Sequence, residues 1–307
     1  MNIFIIGSRF AYPETMSLFL DNAFKSLGHT TAGYCERTGK LWPNHDSFHW
    51  SEQWSEQLII YQGPTWKPDL ILVIKGKGIP SSFVPRMKER YGCKTVLYFP
   101  DPLEDDDNDS FVRQQRKLYD YLFLACWYPQ ETLDSLNAHW LPVAYDPTTH
   151  RRVGVLYPRA REVVFVGTKR RGREWMATTP IISSIHGNEW NKHTKDVYLD
   201  EKCGIYQSAN IVLNHHYLAK GPNHRFFEVL AIGGGMLLSD VCNGMEELGF
   251  QPDRDFASYV TPEDAVNKIE FYLHNPEKMR AIVQKGAETV KPHTFQARMK
   301  KLLEVVA

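Results

Sequence analysis

The feature that most constrains this chain is an alternation along its length. Short apolar runs, each ending in a glycine- or proline-rich turn, are separated by longer amphipathic stretches. Apolar runs without polar alternation suit strands buried on both faces, and a parallel strand needs a crossover segment before the next one can form. In the first half the pattern places strands at Asn2–Gly7, Thr31–Cys35, Asp69–Ile74, Lys94–Phe99, Tyr121–Ala125 and Trp140–Val143, with a helix at Glu14–Leu27 ended by Gly28. Two of these strands run out into Gly76-Lys77-Gly78 and Pro100-Asp101-Pro102, where glycine and proline punctuate the chain.

A second series follows Tyr145–Arg161, a proline- and arginine-containing segment without apolar periodicity. Strands are expected at Glu162–Val166, Ile181–Ile185, Ile211–Leu213 and Met236–Leu238, and helices at Pro262–His274, Pro276–Val290 and His293–Val306. The expectation is therefore an α/β protein of two Rossmann-like domains, 1–150 and 151–307, with ligands held in a cleft at the carboxyl ends of parallel strands. A length of 307 residues with 43% hydrophobic content suits two cores.

Charge and cysteine usage exclude several classes. Thirty-six basic residues balance 36 acidic ones, so no global field draws the chain onto nucleic acid or an anionic membrane. No apolar run is long enough to span a bilayer and the start MNIFIIGSRF lacks a leader pattern, so a cytoplasmic location is expected. Five scattered cysteines with no C-x-x-C spacing suggest neither a disulfide framework nor a zinc site.

The most informative segment is Gly221–Asp240. A Gly-Pro turn precedes a helix start at Asn223, the helix carries His224, Arg225 and Glu228, and a triple glycine leads into the next strand. Helix-start amides with a guanidinium can hold a diphosphate, and a carboxylate one turn on can accept from ribose hydroxyls. The same spacing also fits a surface salt bridge between Arg225 and Glu228. His224 is a candidate contact to the donor sugar or phosphate.

This segment resembles the CgeB-like glycosyltransferase family (spore maturation protein CgeB type), whose C-terminal domain carries Asn-x-Arg-x-Phe-Glu-x-Leu-Ala-x-Gly-Gly. Neighbouring motifs follow in a similar order: Phe165-Val-Gly-Thr168, Gly187 with Trp190, Ile205-Tyr-Gln-Ser-Ala-Asn-Ile-Val-Leu-Asn214 and His293-Thr-Phe-x-x-Arg298, together spanning residues 160–307. The first half is similar only in its α/β pattern and in Asp101 after a strand. The resemblance implies the GT-B fold, with a C-terminal helix able to pack back on the first domain. It also implies a nucleotide diphosphate sugar bound mainly by the second domain as co-substrate, an acceptor bound by the first, and no bound cofactor or metal. Glu228 matches a ribose-binding position. Many retaining relatives carry another glutamate eight residues earlier, where this chain has Lys220, so the stereochemistry stays open.

Other candidates come from local chemistry. Lys169 and Arg170 directly follow the Gly167 turn, where cations can neutralise a leaving diphosphate. They belong to a cluster of Arg151, Arg152, Arg159, Arg161, Lys169, Arg170, Arg171 and Arg173, which reads either as a solvated face or as a nucleic-acid contact. Gly167, Gly187 and Gly7 are turn glycines at strand ends counted with the donor-binding candidates, although Gly7 opens no G-x-G-x-x-G. Asp101, stiffened by flanking prolines, is the candidate general base, with a turn role as the alternative. The acidic run Glu104–Asp109 reads as a solvated loop with Asp109 capping a helix, against a metal site. His215-His216 reads as strand-end structure.

The leading expectation is glycosyl transfer to the hydroxyl of an acceptor glycan, protein or small molecule. The alternatives are a phage-type enzyme acting on a hydroxylated or hydroxymethylated DNA base, a non-catalytic sugar-nucleotide binding or assembly protein, and a sugar-nucleotide epimerase.

Overall fold

The computed structural model describes residues 1–9, 11–39, 41–42, 66–105, 107–154, 163–191, 194–216 and 218–307. The chain divides into two compact units, Met1–Val143 with Phe295–Ala307, and Ala144–Thr294. The sequence places the division at 150/151 and expects a C-terminal helix able to pack back on the first domain; that helix belongs to the first unit. Among the described residues no helix is long and apolar enough to cross a membrane.

The first unit is built on a seven-stranded sheet. Its strands are β1 (Asn2–Gly7), β2 (Thr30–Cys35), β3 (Leu41–Trp42), β4 (Leu70–Ile74), β5 (Lys94–Phe99), β6 (Tyr121–Leu124) and β7 (Ala138–Trp140), in the order β3-β2-β1-β4-β5-β6-β7. All pairs are parallel except β2 with β3. The last strand, expected at Trp140–Val143, lies two residues earlier and ends at Trp140, since Pro142 has no N–H to extend the ladder. Among the described residues the helices of this unit's first 143 residues are α1 (Met16–Ser26), α2 (Phe83–Tyr91), α3 (Asn108–Gln115) and α4 (Gln130–Leu136). Helix α1 is capped by Thr15, whose hydroxyl accepts from Leu18 N. The close packing of α1 on β1 explains Gly7, since a Cβ there would stand 2.4 Å from Ser17 Oγ. Asp109 does not cap α3 as expected. The helix begins one residue earlier, and Asp109 sits in its first turn with its carboxylate bonded to Arg113 Nε.

The second unit holds a five-stranded, wholly parallel sheet of β8 (Val163–Val166), β9 (Ser184–His186), β10 (Ile211–Asn214), β11 (Met236–Asp240) and β12 (Ala257–Tyr259), ordered β12-β11-β10-β8-β9. Strand β9 starts later than expected because Ile182 N bonds back to Thr179 O, holding 179–182 in a turn. Its helices are α5 (Leu199–Ser208), α6 (His224–Ile232), α7 (Pro262–His274) and α8 (Pro276–Thr289). The triple glycine lets the α6–β11 turn lie against the α5 backbone: a Cβ on Gly234 would be 2.2 Å from Gln207 Cα. The chain enters and leaves this unit side by side, Tyr145 pairing with Thr294.

The last helix, α9 (Phe295–Val306), returns to the first unit. Phe295 stacks on Phe19 of α1 at 5.4 Å, and Arg298 Nε donates to Pro142 O.

Candidate functional site

In an open parallel sheet the ligand crevice forms where neighbouring strands send their connections in opposite directions. In the second unit that point lies between β8 and β10, because β8 is flanked by β9 on one side and β10 on the other. Helix α6 begins beside it. Asn223 caps α6, its Oδ1 accepting from Phe226 N, while its Nδ2 donates to Asn214 Oδ1 at 3.0 Å. Arg225 Nη1 donates to the same Oδ1 at 2.8 Å, and its Nε donates to Val166 O. One helix turn thus aims a guanidinium at the ends of both switch-point strands. Asn214 is fully buried, and its Nδ2 is also used, donating to Ser239 Oγ at 3.0 Å. A fully satisfied buried amide holds one orientation, so Asn214 fixes where Arg225 points.

The turn after β8 is held by its carbonyls. Val166 O accepts from Arg225, Gly167 O from Trp190 Nε1 at 2.7 Å, and Thr168 O from Arg173 Nη1 at 3.0 Å. Arg173 Nη2 reaches across to His215 O at 2.7 Å, tying the β8 and β10 loops together. Both guanidiniums lie over the Phe165 ring, at 4.4 Å for Arg225 and 5.4 Å for Arg173. Burial, with Arg225 and Arg170 nearby, pushes Arg173 down to about 9, leaving it charged at neutral pH. Its Nε is buried without a partner among the described residues. Two converging cations and an unused donor make this strand-end crevice suited to an anion.

Gly167 and Gly187 serve this site through backbone packing. A Cβ on Gly167 (φ +152°) would collide with Arg225 Nη2, and one on Gly187 (φ +128°) would stand 2.3 Å from Gly167 O. Lys169 is half-buried, with its N–H bonded to Asn188 O, and Arg170 is exposed on the same loop.

Beyond the crevice, the ends of β10 to β12 carry a further polar group. Asp240 accepts from the His216 amide and lies 2.8 Å from His216 Nδ1 and 3.3 Å from His215 Nδ1. Tyr259 OH donates to Asn214 O and approaches His215 Nδ1 at 3.1 Å.

Glu228 does not form the salt bridge to Arg225 that its spacing allowed. It is 5% exposed, and its partners are Lys202 Nζ of α5 at 3.0 Å and His150 Nε2 at 3.2 Å, not Arg225. A turn at Asp146–His150 presents the imidazole: the Asp146 carboxylate accepts from Thr148 and Thr149 hydroxyls, and the Asp146 N–H donates to His150 Nδ1. Burial opposes the Glu228 charge, but Lys202 and His150 outweigh it and hold the carboxyl well below its usual range. His224, half-buried beside this group, is pushed down to about 4 by burial and is neutral at physiological pH.

Of the basic cluster, Arg159 and Arg161 lie outside the described residues. Arg151 pairs with Asp200, and Arg152 donates to Ile232 and Gly233 carbonyls at the end of α6. A separate cavity of about 570 Å³, lined by Arg152, Gln207, Gly233, Met279, Val283 and Lys291, opens at the other end of this sheet. Of the candidate residues it holds Arg152 of the basic cluster and none of the donor-site residues.

In the first unit the corresponding switch point lies between β1 and β4. Gly7 ends β1 there, at the carboxyl end of the first unit's sheet. Lys75, directly after β4, adopts a left-handed backbone (φ +64°) and forms an ion pair with Asp101, which follows β5; Asp101 keeps a third of its side chain exposed. Glu36, at the end of β2, drew no notice in the sequence. Its Oε2 is buried without a partner among the described residues, and burial raises its carboxyl against the opposing pull of Arg37 and Lys75. The only signal for it was an acidic residue directly after a strand. In the acidic run, Glu104 accepts from Tyr128 OH and Asp109 binds Arg113, while Asp106 lies outside the described residues.

Residues 170–304 match the family described as Glycosyl transferase-like. No curated protein matches the chain by sequence. Among solved structures, HepE of Anabaena in complex with UDP is similar over 99% of this chain and 99% of its own, with a TM-score of 0.69 and 9% identity. A glycosyltransferase of Rickettsia africae is similar over 99% and 97%, with a TM-score of 0.68 and 9% identity. The T4 phage β-glucosyltransferase is similar over 100% and 99%, with a TM-score of 0.63 and 10% identity. The chain has the GT-B fold of these glycosyltransferases, with a glycosyltransferase-like second half.

Proposed function

We propose that this protein is a glycosyltransferase of the CgeB type, moving a sugar from a nucleoside diphosphate sugar to a hydroxyl of an acceptor glycan, protein or small molecule. The observation that carries the reading is the pair of guanidiniums, Arg225 and Arg173, at the β8/β10 switch point, with the buried Arg173 Nε still unused. A diphosphate supplies the anionic oxygens that such a crevice lacks, and UDP, which HepE binds, is a ligand of that class.

The roles follow from charge and position. Arg225, Arg173, Lys169 and Arg170 offset the negative charge that grows on the diphosphate as the glycosidic bond breaks. Asn223 and Asn214 hold Arg225, and Gly167 and Gly187 keep side chains out of its space. Glu228 accepts from the ribose hydroxyls while Lys202 and His150 hold its charge. His224, neutral, lies beside it toward the donor. The first unit takes the acceptor, and Asp101 is the base that removes the acceptor proton.

Arg225→Ala is expected to weaken binding of a nucleoside diphosphate about ten- to a hundredfold, the loss of charged hydrogen bonds, while the protein stays folded. Calorimetric titration with UDP, ADP and GDP checks it. Unchanged affinity for the nucleotide that the native protein binds would overturn the donor-site assignment.

Because arginine and lysine supply the positive charge, transfer is expected to need no divalent metal. Turnover in excess chelator should equal that in its absence, and loss of turnover restored by Mg²⁺ or Mn²⁺ would refute this.

A further inference from the structure

His215, at the second unit's switch point, is left without a task by the donor-site reading. It directly follows β10, and its side chain is 23% exposed at the crevice. Its Nδ1 faces two oxygens, Tyr259 OH at 3.1 Å and Asp240 Oδ2 at 3.3 Å. The Tyr259 proton is committed to Asn214 O at 2.8 Å, and burial with the Asp240 charge keeps that phenol protonated. Both oxygens near Nδ1 are therefore acceptors, so the ring proton sits on Nδ1 and Nε2 carries the lone pair. Nε2 points at the phosphate-facing loop: a Cβ on Gly172 would come within 2.8 Å of it. With no Cβ, Gly172 lets the imidazole lie directly against the Lys169–Arg173 turn.

We propose that His215 is a donor-phosphate contact that takes up a proton as the diphosphate binds and then donates an Nε2–H hydrogen bond to a phosphate oxygen. The inference rests on the donor site proposed above and deepens it. Without ligand the surroundings oppose a second ring proton. Burial is the largest effect, and Arg173, His216 and Arg225 add to it, while Asp240 opposes them. Tyr259 is neutral. A bound diphosphate reverses the balance, because its charge offsets the two guanidiniums and its oxygens need donors. The proton comes from solvent and Asp240 stabilises the imidazolium through Nδ1–H, so the crevice gains a third cation only when an anion occupies it.

The sign follows from linkage. A ligand that raises a group's pKa binds more tightly as pH falls from the bound-state value toward the lower free-state one, and binding in that window takes up protons. The diphosphate of a nucleotide sugar has no ionisation near neutral pH, so uptake reports on the protein.

The test is titration calorimetry at neutral pH with UDP-glucose, ADP-glucose or GDP-mannose, whichever the native protein binds, in two buffers of different ionisation enthalpy. The native protein is expected to take up on the order of one proton more than His215→Gln or His215→Asn, and both variants to bind about ten- to a hundredfold more weakly. Binding with equal proton uptake in the native protein and both variants overturns the role of His215 and leaves the donor site standing. Failure of the native protein to bind any of the three overturns the donor site and this inference together.

Discussion

Lys202→Met is expected to destabilise the second unit by about 3–5 kcal/mol at neutral pH, the cost of leaving a buried carboxylate without its ammonium partner. Lys202 and Glu228 are both nearly inaccessible, and the remaining contact, His150, is held by the Asp146 turn and cannot move to replace the lost charge. Replacing both members, as in Lys202→Met with Glu228→Met, is expected to recover most of the loss, because the desolvation of two charges is removed with their attraction. Calorimetric unfolding of the three proteins checks it, and a single variant within about 1 kcal/mol of native, as for an exposed ion pair, would refute it. The same network sets an acid limit. The folded-state pKa of Glu228 lies well below 4.5, so its stabilisation is full above that ordinary value and is lost as pH falls through the depressed one. Glu228→Gln should flatten the decline of stability in that acid window.

Asp101→Asn is expected to lower transfer about 10²- to 10⁴-fold with donor affinity unchanged, since proton removal acts in the transition state. The substitution keeps the shape at the end of β5 but removes the charge that Lys75 grips. The left-handed backbone of Lys75 is the strained feature that aims this ammonium, so the ion pair is built by the strand end itself. Turnover and nucleotide titration on the same preparation separate the two effects. Near-native transfer would reduce Asp101 to a turn residue and move the search for the base to the other strand-end carboxylate, Glu36.

The elements that the sequence displayed are those with local causes. Apolar runs gave β1, β4, β5, β8, β10 and β11 within a residue or two, and Thr261 before Pro262 marks the start of α7 through a side-chain cap. Boundaries moved where the ladder lost a donor, as at Pro142, or where a hydrogen bond formed outside it, as in the 179–182 turn. Asp109 is displaced from its capping role because α3 starts at Asn108, with Asp107 at the N-cap position and Val112 in the core.

The sequence by itself determined two parallel α/β units and the helix that carries Arg225 and Glu228, because hydrophobic period and turn chemistry act over a few residues. It did not determine what those two side chains face. Spacing of three residues allowed a mutual salt bridge, yet the tertiary structure sends Arg225 to the β8/β10 crevice and Glu228 to Lys202 and His150. Strand order made that decision. Placing β10 beside β8, out of sequence order, brings Asn214 next to Val166, and burial then forces each polar group to find a partner among residues far apart in the chain.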